Sequence, residues 1–189
     1  METLEELFEE TLKDVYFAEN AILKALPKMA KKTKSPELRQ AFEEHVEQTK
    51  GQVARLDEIF KILGKKASGK ECPALKGLVE ETEELMGEAK SPRVLDAGLI
   101  GCAQAVEHYE IARYGTLKAW AEELEMDDAV ELLDATLEEE KLTDTKLSQL
   151  ATSGLNRAAD SGKGSADEDE DAPADTKTKS KKTASSKKK

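Results

Sequence analysis

Aromatic residues make up only 4% of this 189-residue chain, which has two cysteines, two histidines and five prolines. With 38% apolar and 37% charged residues, so few aromatics point to elongated helices, and the length suits one core-forming domain plus appendages. Cys72 and Cys102 stand in neither a CxxC nor a zinc-finger spacing, which removes structural zinc and a disulfide framework from consideration. No apolar run approaches the roughly 20 residues that cross a bilayer, so membrane insertion is not expected. The chain opens on an amphipathic segment without a signal-peptide pattern, and together with the cysteine usage this sets the expectation of a reducing, cytoplasmic setting. A basic body is missing too. The net charge is -11, and residues 160–189 carry eight Lys against seven Asp or Glu, which leaves about -12 on the residues before them. Such a body repels nucleic acid and anionic membrane and attracts cations.

What is present is helical periodicity. Thr3 with Glu6 reads as a capping box, and Leu4, Phe8, Thr11, Val15, Ala18, Ile22 and Met29 trace one face of a first helix ending near Lys31. Pro27 is expected to bend it near Leu23. Ser35-Pro36 opens a second helix, whose face runs Leu38, Phe42, His45, Thr49, Gln52, Leu56, Ile59, Leu63 and which stops at Gly64. Residues 73 to about 88 form a short amphipathic helix suited to crossing from one end of a bundle to the other. A second Lys-Ser-Pro, ending at Pro92, opens a long helix from about residue 94 to 124. Asp128 with Glu131 reads as the capping box of a last long helix through Leu133, Thr136, Glu140, Thr143, Leu147 and Leu150, ending near Gly154. Gly64 to Lys70 mimics a phosphate-binding loop, but Glu71 stands where the Ser or Thr belongs and a helix precedes it, so a flexible connection is the better reading.

Each long helix interrupts its apolar seam with polar groups near its centre. In the third long helix Leu99, Ala103, Val106, Leu117 and Trp120 define the stripe, and Glu110 and Arg113 fill its middle slots, with Glu107 one turn before Glu110. Glu19 borders apolar residues in the first helix, His45, Thr49 and Gln52 are consecutive seam positions in the second, and Glu140 holds the mid-seam position of the last. Asp144 lies one turn beyond Glu140. Antiparallel packing with a crossover between the second and third long helices brings these groups to one level. Burying unpaired carboxylates costs several kcal/mol, so a cation or a buried base must neutralise them. Glutamates and a histidine converging in a four-helix bundle are the ligand types of carboxylate di-iron and di-manganese sites. Glu19, His45, Glu107, Glu110, Glu140 and Asp144 are the candidate metal ligands, for iron or manganese. The usual Glu-x-x-His pairs are incomplete, since Glu140 is followed by Thr143 and His45 by Gln48. Two bland readings stand beside this: the acids pair with Arg113 or Lys141 as structural ion pairs, or His45 is a hydrogen-bonded core histidine. His108 falls off the face and is expected to be exposed. Tyr16, Tyr109 and Trp120 read as packing, and the cysteines as small apolar fillers.

The periodicity ends near Ala158. Residues 159–189 combine an acidic block, Asp167 to Asp171, with seven lysines from Lys177 onward and no large apolar residue. Disorder is the expectation, as a solubilising tail or as a loose contact to a polyanion such as DNA.

Several motifs resemble the YciE/YciF family of ferritin-like bacterial stress proteins: Tyr16-Phe17-Ala18-Glu19 with Ala25-Leu26-Pro27-Lys28-Met29, His45-Val46-Glu47-Gln48-Thr49, Cys72-Pro73-Ala74-Leu75-Lys76-Gly77-Leu78, Ala105 to Ala112, and Thr136 to Asp144. The resemblance covers about residues 3–156. It implies an all-α, rubrerythrin-like, ferritin-like four-helix bundle over residues 1–158 with a short fifth crossover helix, a homodimer, and a bacterial cytoplasm under stress. It implies no settled reaction. More remotely, Glu107-His108-Tyr109-Glu110 resembles the rubrerythrin helix whose two glutamates bind iron, which implies ligand roles for Glu19, Glu107, Glu110 and Glu140. His45 stands where rubrerythrin has a glutamate. A metal-free structural or interaction module, acting as a homodimer, is the alternative function.

Overall fold

The computed structural model describes residues 1–161. It contains α1 (Leu4–Lys32), α2 (Pro36–Ile62), α3 (Pro73–Glu88), α4 (Pro92–Glu123) and α5 (Asp127–Leu150), followed by a segment kinked at Gly154 (Ala151–Leu155) and a short α6 (Asn156–Asp160). α6 thus runs across the domain boundary expected at residue 158. The expected disorder and the lysine run from Lys177 lie outside the described residues, apart from positions 159–161.

Sequence signals set most of the helix ends. Thr3 accepts from the Glu6 backbone N–H at 3.2 Å, although Glu6 reaches back to the Glu2 N–H and not to that of Thr3. Ser35 caps the Leu38 N–H, with Pro36 in the first turn. Gly64 follows the end of α2 with φ +66°, a left-handed conformation that suits glycine. Two expectations need correction. α5 starts at Asp127 behind Met126 with no side-chain cap, so Asp128 lies inside the first turn, where its charge meets the positive end of the helix dipole. Ser91 precedes α4 without capping it, and Pro92 alone carries that start.

α1 and α2 are joined by residues 33–35, α4 and α5 by residues 124–126, and both short connections enforce antiparallel pairs. Cross-contacts fix the remaining neighbours. Thr33 meets Asp96 while Glu19 meets Tyr114, so α1 runs antiparallel to α4. Glu44 meets Lys146 while Arg55 meets Thr136, so α2 runs antiparallel to α5. α2 and α4 are therefore parallel across the diagonal, and a parallel pair needs a crossover. Residues 63–91, containing α3, supply it. α3 lies against α4 and touches α1, close enough that a Cβ at Gly98 would stand 2.7 Å from the Leu85 side chain. The expected flexible connection is in fact held to α1: the Lys70 N–H donates to the Lys13 carbonyl, and Lys65 and Lys70 pair with Glu9 and Glu10.

The apolar core comes in two parts. One half gathers Leu26, Leu38, Phe42, Leu75, Leu99 and Leu147; the other gathers Phe8, Leu12, Leu56, Phe60, Leu117 and Leu133. Between them lies a layer of buried polar side chains from all four long helices. No helix among the described residues is long and apolar enough to cross a membrane.

Candidate metal centre

α1 places Glu19 in this layer, α2 His45, α4 Glu107 and Glu110, and α5 Glu140. None exceeds 2% exposure. One donor atom from each of His45, Glu107, Glu110 and Glu140 lies within 4.8 Å of the others. His45 Nε2 is 3.3 Å from Glu107 Oε1 and 3.9 Å from Glu140 Oε2. Glu19 adjoins this group through Glu110, and its Oε1 accepts a short hydrogen bond from the Tyr114 hydroxyl. Asp144 is not brought in. It sits half-exposed at the rim of α4 and α5, bonded to Gln104 at 2.9 Å and facing His108 at 3.3 Å. A step of four residues advances a helix by one turn plus about 40°, which carries Asp144 from the interior to the edge.

The layer is short of donors. Six carboxylate oxygens, on Glu19, Glu107, Glu110 and Glu140, have no hydrogen-bond partner, and neither does His45 Nε2. Buried polar atoms are rarely left in this state. Both ion-pair alternatives fail among the described residues: Arg113 lies over the Tyr109 ring at 5.2 Å, and Lys141 pairs with Glu138 at 2.7 Å. Arg55 is occupied by a two-pronged contact to Glu139, with Thr136 at 3.0 Å.

Burial therefore shifts every acid upward. Desolvation, then the charge of Glu140, raises Glu19 to about 8, while desolvation raises Glu140 to about 7. Glu107 and Glu110 are pushed well above the usual carboxylate range, first by desolvation and then by their acidic neighbours. Burial lowers His45, which favours the neutral imidazole. Gln48 Oε1 stands 3.2 Å from His45 Nδ1. A proton on Nδ1 given to that carbonyl leaves the Nε2 lone pair aimed at the acids, the tautomer that binds a metal.

The donor set fits hard or borderline divalent cations: carboxylate oxygens predominate, with one imidazole. Four carboxylates also balance the charge of two such ions. Sequence periodicity missed Tyr114 and the Arg55–Glu139 pair. Tyr114 was detectable, because it lies four residues after Glu110 and three before Leu117. Its phase was obscured by the assignment of Val106, Arg113 and Trp120 to the stripe; the buried positions are Glu107, Tyr114 and Ala121, one residue on.

Comparison with known proteins places the chain. Residues 3–160 match the family described as a domain of unknown function, DUF892. The chain belongs to that family. Among DUF892 relatives, the protein YciF of Escherichia coli K12 is 44% identical over 162 residues, spanning 85% of this chain and 98% of YciF. The crystal structure of YciF, described as a stress protein, superposes with a TM-score of 0.79 over 83% of this chain and 99% of YciF. YcfI of Rhodopseudomonas palustris, provisionally described as a structural protein, is 52% identical, with a TM-score of 0.77 over 78% of this chain and 94% of YcfI. The chain is thus a YciF homologue built as a helical bundle, with a buried group of acids and a histidine able to hold a metal ion.

Proposed function

We propose that this DUF892 protein is a bacterial stress-response protein, cytoplasmic and homodimeric, that binds iron or manganese in the carboxylate layer. The supporting observation is the set of unpartnered, fully buried carboxylate oxygens facing one another across four helices. His45, Glu107, Glu110 and Glu140 are the ligands, and Glu19 completes the charge balance for a second ion. Bound iron or manganese supplies one-electron chemistry toward dioxygen or peroxide, with ferrous iron itself a candidate substrate for oxidation.

The chain's own residues account for the rest. Tyr114 holds Glu19 by one oxygen and leaves the other free. Gln48 fixes the His45 ring, and the two apolar half-cores keep bulk water away from the layer, which strengthens every charge interaction inside it.

The metal-free module is the second reading, favoured by a different observation. Glu107 lies against Glu140, and Glu110 against Glu19, closely enough to share protons, so a protonated layer carries little charge without any ion. Metal analysis of natively purified protein, followed by anaerobic ferrous titration, separates the two. One or two equivalents should bind saturably, and Glu110→Ala should abolish uptake while the helical circular dichroism persists. No saturable binding by the wild-type protein would leave the structural reading.

A further inference from the structure

A cavity of about 90 Å³ enters the bundle between α2 and α5 and reaches two of the candidate ligands, His45 and Glu107. Its outer residues are Glu44 and Lys146, joined by a short ion pair, and Leu142, which is 66% exposed. Phe42 and Leu147 form apolar walls further in, and Gln48 and Thr143 stand beside the His45 ring. The contacts across this inner end are long: Thr143 Oγ1 is 3.5 Å from both Gln48 Oε1 and His45 Nδ1. At that distance a hydrogen bond holds little, so the α5 side of the doorway is only weakly tied to the α2 side. The cavity is large enough to hold several waters. An ion that has shed part of its shell meets Gln48 and Thr143, which offer oxygens at the inner end beside His45. A second, smaller cavity of about 30 Å³ also reaches His45 and Glu107, and Ile22, Met29, Val79 and Val106 line it together with Thr82 and Cys102. That cavity is smaller and mainly apolar, and the Thr82 hydroxyl is already bonded to the Leu78 carbonyl, so it offers a cation fewer oxygens than the cleft between α2 and α5.

We propose that the cleft between α2 and α5 is the passage through which a divalent cation reaches the carboxylate layer, with the Glu44–Lys146 pair at its mouth and Gln48 and Thr143 at its inner doorway. This rests on the metal-binding reading and adds a route to it. Lys146 holds Glu44 out of play, so the electrostatics of the mouth set the rate of entry without altering the ligands.

The test is stopped-flow uptake of cobalt(II) by the full-length protein, read from absorbance, with the final stoichiometry measured separately. Leu142→Trp, at an exposed position, narrows the mouth and should slow uptake about tenfold. Lys146→Glu should speed it by roughly three- to tenfold at low salt, the effect of two charge units on the order of 10 Å from a divalent ion's path, and the gain should shrink as salt is added. Ile62→Trp adds the same bulk at an exposed position away from the cleft and should leave the rate unchanged. All four proteins should reach the same stoichiometry. Identical rates in all four, with full loading, would overturn the passage while leaving the metal site standing. Absence of loading in the wild-type protein would overturn both.

Discussion

Raising the pH should destabilise the metal-free protein, and the buried acids set the size of the effect. A carboxyl whose value is higher in the folded state stays protonated there after it has ionised in the unfolded chain. The unfolded state then binds fewer protons, so stability falls as pH rises above the ordinary value of 4.5 and levels off beyond the folded value. Glu19, raised to about 8, loses on the order of 5 kcal/mol across that window at about 1.4 kcal/mol per unit. Glu140, raised to about 7, loses about 3 kcal/mol by the same conversion. The two do not add, because part of the Glu19 displacement is the charge of Glu140. His45 acts in the opposite sense: burial keeps it neutral in the fold, so its contribution grows as pH rises to 6.5 and offsets part of the fall, which steepens above 6.5 and eases beyond about 7 as Glu140 levels off. The share of Glu19 and Glu140, about 5 kcal/mol, corresponds to roughly 10–20 °C in the melting temperature of a domain this size, and Glu107 and Glu110 act in the same direction. The assay is thermal or urea unfolding followed by helical circular dichroism, with chelator present, from pH 5 to 8.5. Growing repulsion across an acidic surface acts in the same direction, so the control is the double variant Glu19→Gln, Glu140→Gln, whose profile should be flatter. Equal slopes in variant and wild type would refute the account. Saturating manganese should reverse the trend, since metal binding needs deprotonated ligands.

Asp96 accepts from Thr33 Oγ1 at 2.6 Å and from the backbone N–H groups of Lys34 and Ser35 at 3.0 and 2.9 Å, so Asp96→Ala strips the α1–α2 turn of its acceptor. Urea unfolding should show a loss of about 3–5 kcal/mol. Tyr114→Phe leaves Glu19 Oε1 without its donor; metal affinity, measured by competition with a chromophoric chelator, should fall about 10- to 100-fold, with the fold retained. Glu125 has φ 54° between α4 and α5, a conformation that costs most L residues about 1 kcal/mol, so Glu125→Gly should raise the unfolding midpoint slightly.

The helices, most of their ends and the interior placement of Glu19, His45, Glu110 and Glu140 were legible in the sequence, because apolar spacing along a rod reports which side is buried. The phase of α4 was harder to read. α4 packs against α1, α3 and α5 at once, so its apolar arc is broad, and Val106, which meets α3-side residues such as Val79 and Thr82 around one cavity, competes with Glu107 for the seam. Asp96 gave no local sign of its role, because the groups it caps lie some 60 residues earlier in the chain. Periodicity alone determined that acids would be buried, a property of each helix by itself. Only the packing of four helices decided which acids share one volume, left Asp144 at the rim, put Tyr114 on Glu19 and opened a cleft above His45. Distances between helices depend on how each rod is rotated against its neighbours, and no single rod's sequence carries that rotation.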